Sequence, residues 1–279
     1  MRHPHRLIVA ALAALAATGC TDDAGAQLRG GSLATAAATP ASASASADTA
    51  AQAMLPPHVL LVAVGDEQPV FDRFVGDLAR RFATLDVASL ATASASGGVG
   101  LRFDRPAELY AAIRGMRTGP ARKGAGEGGC LVYLTGHGAR TGMAMPLAAA
   151  STPAQSPARR YAALRPRELA AALREGCGDA PTVVVTSACY SGVYLGRRGA
   201  GMRGAGRIVL TAAAPDRTSF GCADDETYTY YDGCFLRSLD AVFADTAAAP
   251  TWHTLAGRTA ACVAERERAL LPGSPPSNP

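Results

Sequence analysis

Hydrophobic positions follow two patterns that alternate along the chain. Short, unbroken apolar runs predict strands that are buried on both faces. These runs occupy residues 58–64, 130–134, 183–185 and 207–211. Between them, apolar residues recur at every third or fourth position and predict helices with one buried face, as at Phe71, Phe74, Val75, Leu78 and Phe82. Strands that alternate with helices indicate an α/β domain with a mostly parallel sheet covered on both sides.

Weaker patterns complete this outline. A short second strand is expected at 86–90, and further helices are expected at 106–116, 165–174, 235–243 and 254–271. Stretches rich in glycine or small polar residues predict loops at 117–129, 148–160 and 196–206. The folded domain is therefore expected to span residues 58–271, followed by a disordered tail at 272–279.

The first 20 residues have the pattern of an export signal. Arg2 and Arg6 precede an apolar run at 7–17, which is too short to span a bilayer. Small residues then lead to Cys20, an arrangement that resembles the lipobox of bacterial lipoproteins, where cleavage precedes a lipidated cysteine. We predict that the chain is exported and anchored to a bacterial membrane through lipidated Cys20, facing the periplasm or the exterior. The alternative is an ordinary signal peptide in which Cys20 occurs by chance.

Composition sets limits on the rest. Residues 21–57 consist mainly of Ala, Ser, Thr, Gly and Asp, and predict a disordered tether. Hydrophobic residues make up 48% of the 279-residue chain, which is enough for a core. The net charge of +4 is too small to predict nucleic-acid binding. No CxxC or HExxH motif indicates a zinc site, and no GxSxG motif indicates a serine hydrolase.

The candidate chemistry lies where two predicted strands end. The strand at 130–134 leads into Thr-Gly-His-Gly with His137, and the strand at 183–185 leads into Ser-Ala-Cys-Tyr-Ser-Gly with Cys189. Ligands of parallel sheets bind beyond the carboxyl ends of the strands. His137 lies 52 residues upstream of Cys189, a spacing close to that of caspases, although the local signature differs.

This pair is suited to nucleophilic catalysis. A thiol becomes a strong nucleophile as thiolate, and a nearby histidine favours that form. We expect Cys189 to be the nucleophile and His137 to protonate the leaving amine. The backbone N–H groups of Gly138 and Cys189 are the expected oxyanion donors. A single cysteine after a buried strand is more often a core residue than a nucleophile. The prediction of catalysis therefore depends on His137 and Cys189 occurring together.

Three segments carry a resemblance to a known family. LVYLTGHG at 131–138, VVVTSACYSG at 183–192 and the stretch at 213–226 resemble the legumain family of cysteine peptidases. This family includes the catalytic subunit of the GPI-anchor transamidase and belongs to the caspase-like clan. The turn Gly65-Asp-Glu-Gln68 resembles its bacterial members. The resemblance implies a caspase-like three-layer α/β/α sandwich, a protein or peptide substrate, and no metal or organic cofactor.

The resemblance also implies which residues contact substrate. Thr218 and Ser219 would line the pocket for the residue before the scissile bond. Legumains carry an acidic residue two positions before the nucleophile, where this chain has Ser187. Preference for asparagine is therefore not carried over to this chain. Either cleavage favours another residue, or the pocket is rebuilt from Asp66, Asp216 or Arg217. Two alternatives stay open, a transpeptidase of the same family and a catalytically inactive peptide-binding lipoprotein.

Five cysteines remain once Cys20 and Cys189 are assigned. They are Cys130, Cys177, Cys222, Cys234 and Cys262. In an exported protein these residues are expected to form disulfides, and their odd number leaves at least one of them free. A bridge from Cys222 to Cys234 or Cys262 is the expected pairing, and Cys130 is expected to be a buried strand residue.

Overall fold

The computed structural model describes residues 54–65, 68–85, 87–116, 128–147, 161–197, 201–204, 206–223, 225–245, 247–270 and 274–279. The predicted export signal with Cys20 and nearly all of the predicted tether lie outside these residues. So do most of the predicted loop at 117–129, all of the loop at 148–160, and part of the loop at 196–206.

The described residues form nine strands. In chain order these are β1 (His58–Ala63), β2 (Ser89–Ser94), β3 (Leu101–Arg102), β4 (Cys130–Thr135), β5 (Gly138–Ala139), β6 (Gly142–Pro146), β7 (Tyr161–Leu164), β8 (Thr182–Ser187) and β9 (Arg207–Thr211). Six of them build one sheet in the order β3-β2-β1-β4-β8-β9, and all neighbours are parallel. The central strands β1, β4 and β8 are buried along their whole length, as their unbroken apolar runs predict.

Helices cover both faces of this sheet. They are α1 (Pro69–Ala83), α2 (Pro106–Arg114), α3 (Pro166–Cys177), α4 (Tyr230–Ala244) and α5 (Trp252–Glu267). The apolar faces of α1, α4 and α5 share one hydrophobic core with one side of the sheet, and those of α2 and α3 share a second core with the other side. The predicted three-layer α/β/α sandwich is confirmed, and it is consistent with a caspase-like fold.

Some boundaries differ from the sequence prediction. The second strand lies at Ser89–Ser94 and not at 86–90, because its pairing with β1 starts at Ser89 opposite His58. β5, β6 and β7 form a separate antiparallel sheet that was not predicted. Their strands are short, and two of them contain alanine or glycine at positions where alternating apolar residues would mark a strand.

Two disulfides connect elements that are distant in sequence. Cys130 of β4 pairs with Cys177 of α3, and Cys234 of α4 pairs with Cys262 of α5. The expected bridge from Cys222 is therefore wrong, and Cys222 is free. Cys130 is buried as expected, but it is bonded. The reason is geometric, because α4 packs against α5 and brings Cys234 to Cys262, whereas Cys222 lies in the segment before α4.

Both ends of the described chain make contacts. Leu55, just before β1, is buried in the core, and the carbonyl oxygen of Met54 accepts a hydrogen bond from the Trp252 indole. Near the other end, Ser277 is buried and its carbonyl oxygen accepts a hydrogen bond from Ala214. Residues 54–57 are thus packed against the domain, although the sequence predicts them to belong to the tether, whereas Ser277 is the one buried residue among the exposed residues 274–279. No helix in the described part of the chain is both long and apolar enough to cross a membrane.

Candidate active site

His137 and Cys189 follow neighbouring strands at the same edge of the central sheet. β4 and β8 run parallel, and their register pairs Thr135 with Ser187 at the last position of both strands. His137 and Cys189 each stand two residues beyond that pair. A hydrogen bond of 3.1 Å from the Gly136 N–H to the Ser187 carbonyl oxygen continues the contact past the paired ends. The tertiary structure therefore brings together the two residues that the sequence singled out.

Gly138 approaches the backbone of Cys189 directly. It belongs to β5, where it pairs with Met143 of β6. A β-carbon at position 138 would overlap the backbone carbonyl of Cys189. Only glycine permits this approach, because it has no side chain to collide. The two residues predicted to supply oxyanion donors are thus backbone neighbours.

The His137 side chain packs against helix α1. The Phe71 ring meets the imidazole edge-on, with ring centroids 5.2 Å apart and planes at 83°. The His137 carbonyl oxygen accepts a hydrogen bond of 2.9 Å from the Ala144 N–H of β6. The residue is otherwise partly exposed. An aromatic ring and a backbone hydrogen bond therefore restrict where the imidazole lies, and part of its surface stays accessible to a substrate.

The Cys189 thiol contacts the segment that follows β9. The Ser219 N–H donates a hydrogen bond to the Cys189 Sγ atom across 3.4 Å, and Sγ lies 3.6 Å from the Ser219 carbonyl oxygen. Tyr190 has a left-handed backbone with φ of 57°, and its N–H donates to the Arg217 carbonyl oxygen at 2.7 Å. Few residues other than glycine adopt this conformation, which turns the chain sharply after the thiol. A short 3₁₀ helix, Ser191–Tyr194, follows.

The sequence of this region matches a known family. The model of the Peptidase C13 family covers residues 118–254, which include His137, Cys189 and all three segments that carry the resemblance. The chain is a member of the legumain family. Membership makes it a cysteine peptidase or transpeptidase at the level of the family. No curated protein sequence matches the chain.

A buried carboxyl group lies beneath the strand ends of this legumain-family protein. Asp232, in the first turn of α4, is fully buried and accepts hydrogen bonds from the hydroxyls of Tyr133, at 2.9 Å, and Thr135, at 2.6 Å. The Ser187 hydroxyl faces the same carboxyl without completing a hydrogen bond of ordinary geometry. Burial raises the pKa of Asp232, and the hydroxyls around it oppose that rise. These hydrogen bonds connect α4 to the last residues of β4. Thr135, the final residue of that strand, lies two residues before His137.

No sequence motif singled out Asp232. One signal was present, because Thr229 stands three residues before it and caps the helix by accepting a hydrogen bond from the Asp232 N–H. That pattern marks the start of a helix but not the direction of the carboxyl group. Tyr133 and Thr135 share one face of β4 by their spacing. Only the packing of α4 on that face shows that their hydroxyls have a common acceptor.

The residues predicted to contact substrate occupy different environments in this protein. Ser219 touches the thiol, and Thr218 beside it is partly exposed. Asp216 is exposed and forms an ion pair of 3.8 Å with Arg217. Ser187 is 1% exposed and lies within the core, next to the Asp232 carboxyl and away from any open surface.

A second free thiol lies close to the first. Burial raises the pKa of Cys222 to about 12, and the neighbouring Cys189 adds to the rise. Cys222 is therefore protonated at neutral pH. Within the described ranges, no group of three or more His, Cys, Asp or Glu side chains is arranged to hold a metal ion.

Proposed function

We propose that this chain is a cysteine endopeptidase in which Cys189 and His137 form the catalytic dyad. The observation that carries the proposal is their equivalent position, two residues beyond the Thr135–Ser187 register pair of adjacent parallel strands. The backbone contact between Gly138 and Cys189 supports it, since it brings together the backbones of the two expected oxyanion donors. Membership of the legumain family supports the reaction class.

The reaction proceeds in two halves. The Cys189 thiolate attacks the carbonyl carbon of the scissile bond, and the backbone N–H groups of Gly138 and Cys189 stabilise the resulting oxyanion. The tetrahedral adduct collapses as the protonated His137 imidazole donates its proton to the leaving amine, which leaves a thioester. Neutral His137 then takes a proton from water, and the hydroxide attacks the thioester. Collapse breaks the carbon–sulfur bond, releases a carboxylic acid that loses its proton to solvent, and restores the thiolate and the imidazolium.

Substrate contacts follow from the surroundings of the thiol. Ser219 and Thr218 would line the side that holds the residue before the scissile bond, since the Ser219 backbone already meets Sγ. Asp216 and Arg217 stand at the outer edge of this segment as an ion pair. Ser187 is left out of this pocket, because its side chain is buried.

The test uses the full-length protein and a fluorogenic peptide library varied at the residue before the cleaved bond. Replacing Cys189 by Ala or His137 by Ala should lower kcat/KM by at least about a thousandfold, because members of such a dyad act as a unit. Thermal unfolding of each variant, unchanged within a few degrees, shows that the fold persists. Full activity of Cys189→Ala would overturn the proposal.

A transpeptidase is the second candidate, because the family includes such enzymes and Thr135-Gly-His-Gly138 resembles the transamidase version of the motif. In that reaction an amine, and not water, attacks the Cys189 thioester. Adding a peptide with a free amino terminus and searching for the ligated product by mass spectrometry separates the two. Peptide binding that survives in Cys189→Ala, with no turnover by the parent, would instead indicate a binding protein.

A further inference from the structure

A pocket lies beside the turn that follows Cys189. It has a volume of about 330 Å³, within the range of small-molecule sites. Its described lining consists of Arg140, Val193, Gly196, Arg197 and Pro215. Two of these residues are arginines, and none of them is acidic. We call it the arginine pocket.

Both segments of the proposed dyad lead to this pocket. Arg140 comes three residues after His137, directly after β5. Val193 belongs to the 3₁₀ helix that begins two residues after Cys189. The Arg140 guanidinium carbon lies 4.9 Å from the centroid of the Tyr190 ring, a cation–π contact that joins the two segments. The pocket therefore lies next to the segments that carry the proposed dyad.

The proposed mechanism decides which part of a substrate reaches the pocket. His137 protonates the leaving amine, so the residues after the scissile bond must pass on the His137 side of the thiol. Arg140 lies on the turn that continues from His137, whereas Ser219 contacts the thiol from the segment after β9. The arginine pocket thus faces the leaving group.

The positive charge of Arg140 and Arg197 favours an anionic group as the ligand of this pocket. A guanidinium group binds carboxylates through paired N–H donors with defined geometry. The tyrosine ring restricts the Arg140 side chain, which lowers the entropy lost when a ligand binds.

We propose that the arginine pocket binds a carboxylate carried by the leaving-group part of a peptide substrate. This inference rests on the proposed function. Either an acidic side chain or the terminal carboxylate of a short leaving peptide supplies the same chemistry. The pocket would thereby set a specificity on the side of the scissile bond opposite to Thr218 and Ser219.

The test compares matched peptides that contain Glu or Gln at each of the first three positions after the cleaved bond, all with amidated ends. A third set has Gln at these positions and a free terminal carboxylate. The parent should favour one carboxylate set over the Gln amides about fivefold to tenfold in kcat/KM, mainly through KM, since exposed charge pairs contribute modestly. Whichever set is preferred identifies the source of the carboxylate.

Variants link this preference to the pocket. In the double variant Arg140→Gln, Arg197→Gln the ratio should fall to about one. Arg237→Gln, which removes an exposed positive charge from α4, is the matched control and should keep the parental ratio. Cleavage by the parent with equal rates for acid and amide peptides would overturn the pocket assignment and leave the peptidase standing.

A binding measurement covers the case in which no peptide is cleaved, which would count against the proposed function. Fluorescence anisotropy then compares labelled acidic and amidated peptides on Cys189→Ala protein. The acidic peptides should bind several times more tightly, and added salt and the arginine double variant should both remove the difference. Equal affinities would refute the pocket assignment on this second readout.

Discussion

Gly138 and Cys189 lie with their backbones in contact, so that a β-carbon at position 138 would overlap the Cys189 carbonyl. The contact joins the hairpin after His137 to the turn after β8. Each of these segments is anchored separately, His137 by Phe71 and Ala144, and Cys189 by the backbone of Ser219. The approach at Gly138 is therefore what holds the proposed oxyanion donors next to each other.

Gly138→Ala is expected to lower kcat/KM at least about a hundredfold, because loss of one aligned oxyanion donor has an effect of that size. The added methyl group must push the Cys189 backbone away. Gly257→Ala is the matched control, since Gly257 lies in α5 with no atom near its missing β-carbon, and alanine should stabilise that helix by about 0.5–1 kcal/mol. Peptide hydrolysis and urea unfolding measure the two effects. Normal activity of Gly138→Ala would show that the contact is not needed.

Asp232 should make stability depend on pH. Burial raises its pKa above the ordinary value of 3.8, so the folded state binds the proton more tightly than the unfolded state does. The contribution of Asp232 to the free energy of unfolding is therefore greatest at or below about pH 4 and decreases as pH rises through the raised pKa. Asp232→Asn does not titrate, so its stability relative to the parent should increase between pH 4 and pH 7.

Urea unfolding of parent and variant at both pH values measures this difference. Asp240→Asn is the control, because Asp240 lies on the same helix but is exposed and paired with Arg81. The same pH trend in both variants would contradict the assignment to Asp232. Asp232→Ala should instead destabilise the protein by a few kcal/mol at all pH values, since the hydroxyls of Tyr133 and Thr135 would lose their acceptor.

The two disulfides should be found intact in the native protein. Non-reducing digestion and mass spectrometry are expected to yield the peptide pairs Cys130–Cys177 and Cys234–Cys262. Replacing both cysteines of either pair by alanine should lower the free energy of unfolding by about 4 kcal/mol. This value is the loop-closure entropy expected for partners that are 47 and 28 residues apart in sequence. Recovery of a Cys222-linked peptide would contradict this pairing.

The free thiols should react unequally. At pH 8, Cys222 with a pKa of about 12 is almost entirely protonated, and it should react with iodoacetamide about a thousandfold more slowly than an unfolded cysteine. Within residues 54–279, native protein should therefore take one carbamidomethyl group, at the partly exposed Cys189. Cys189→Ala should take none, and Cys222→Ser should still take one. Peptide mapping that finds the label on Cys222 would count against this result.

Anchoring through Cys20 is a prediction from the sequence alone. A lipidated chain should partition into the detergent phase of a cloud-point extraction and incorporate labelled palmitate, because acyl chains transfer favourably out of water. Cys20→Ala should stay in the aqueous phase and take up no label. Cys222→Ser is the matched control, because it removes a thiol at a site that is not predicted to be lipidated. Detergent partition of Cys20→Ala equal to that of the parent would exclude this anchor.

Local patterns were sufficient for much of the fold. The unbroken apolar runs that became β1, β4, β8 and β9 were visible because a strand buried on both faces must be apolar at every position. The spacing of Phe71, Phe74 and Leu78 indicated α1 because a helix repeats its buried face every three to four residues. His137 and Cys189 followed as candidates because each comes just after such a strand, and parallel strands end at one edge of the sheet.

Relations between distant segments required the tertiary structure. Cys234 pairs with Cys262, and Asp232 turns toward Tyr133, because α4 packs against both α5 and the sheet. The cation–π contact of Arg140 with Tyr190 exists because two short turns meet beyond β4 and β8. Periodicity records which side of an element is buried, since that depends on neighbours three or four residues away. Which groups then meet in the interior depends on how whole faces of helices and sheets pack. Residues 50 or 100 positions apart share no local sequence pattern from which such a contact could be predicted.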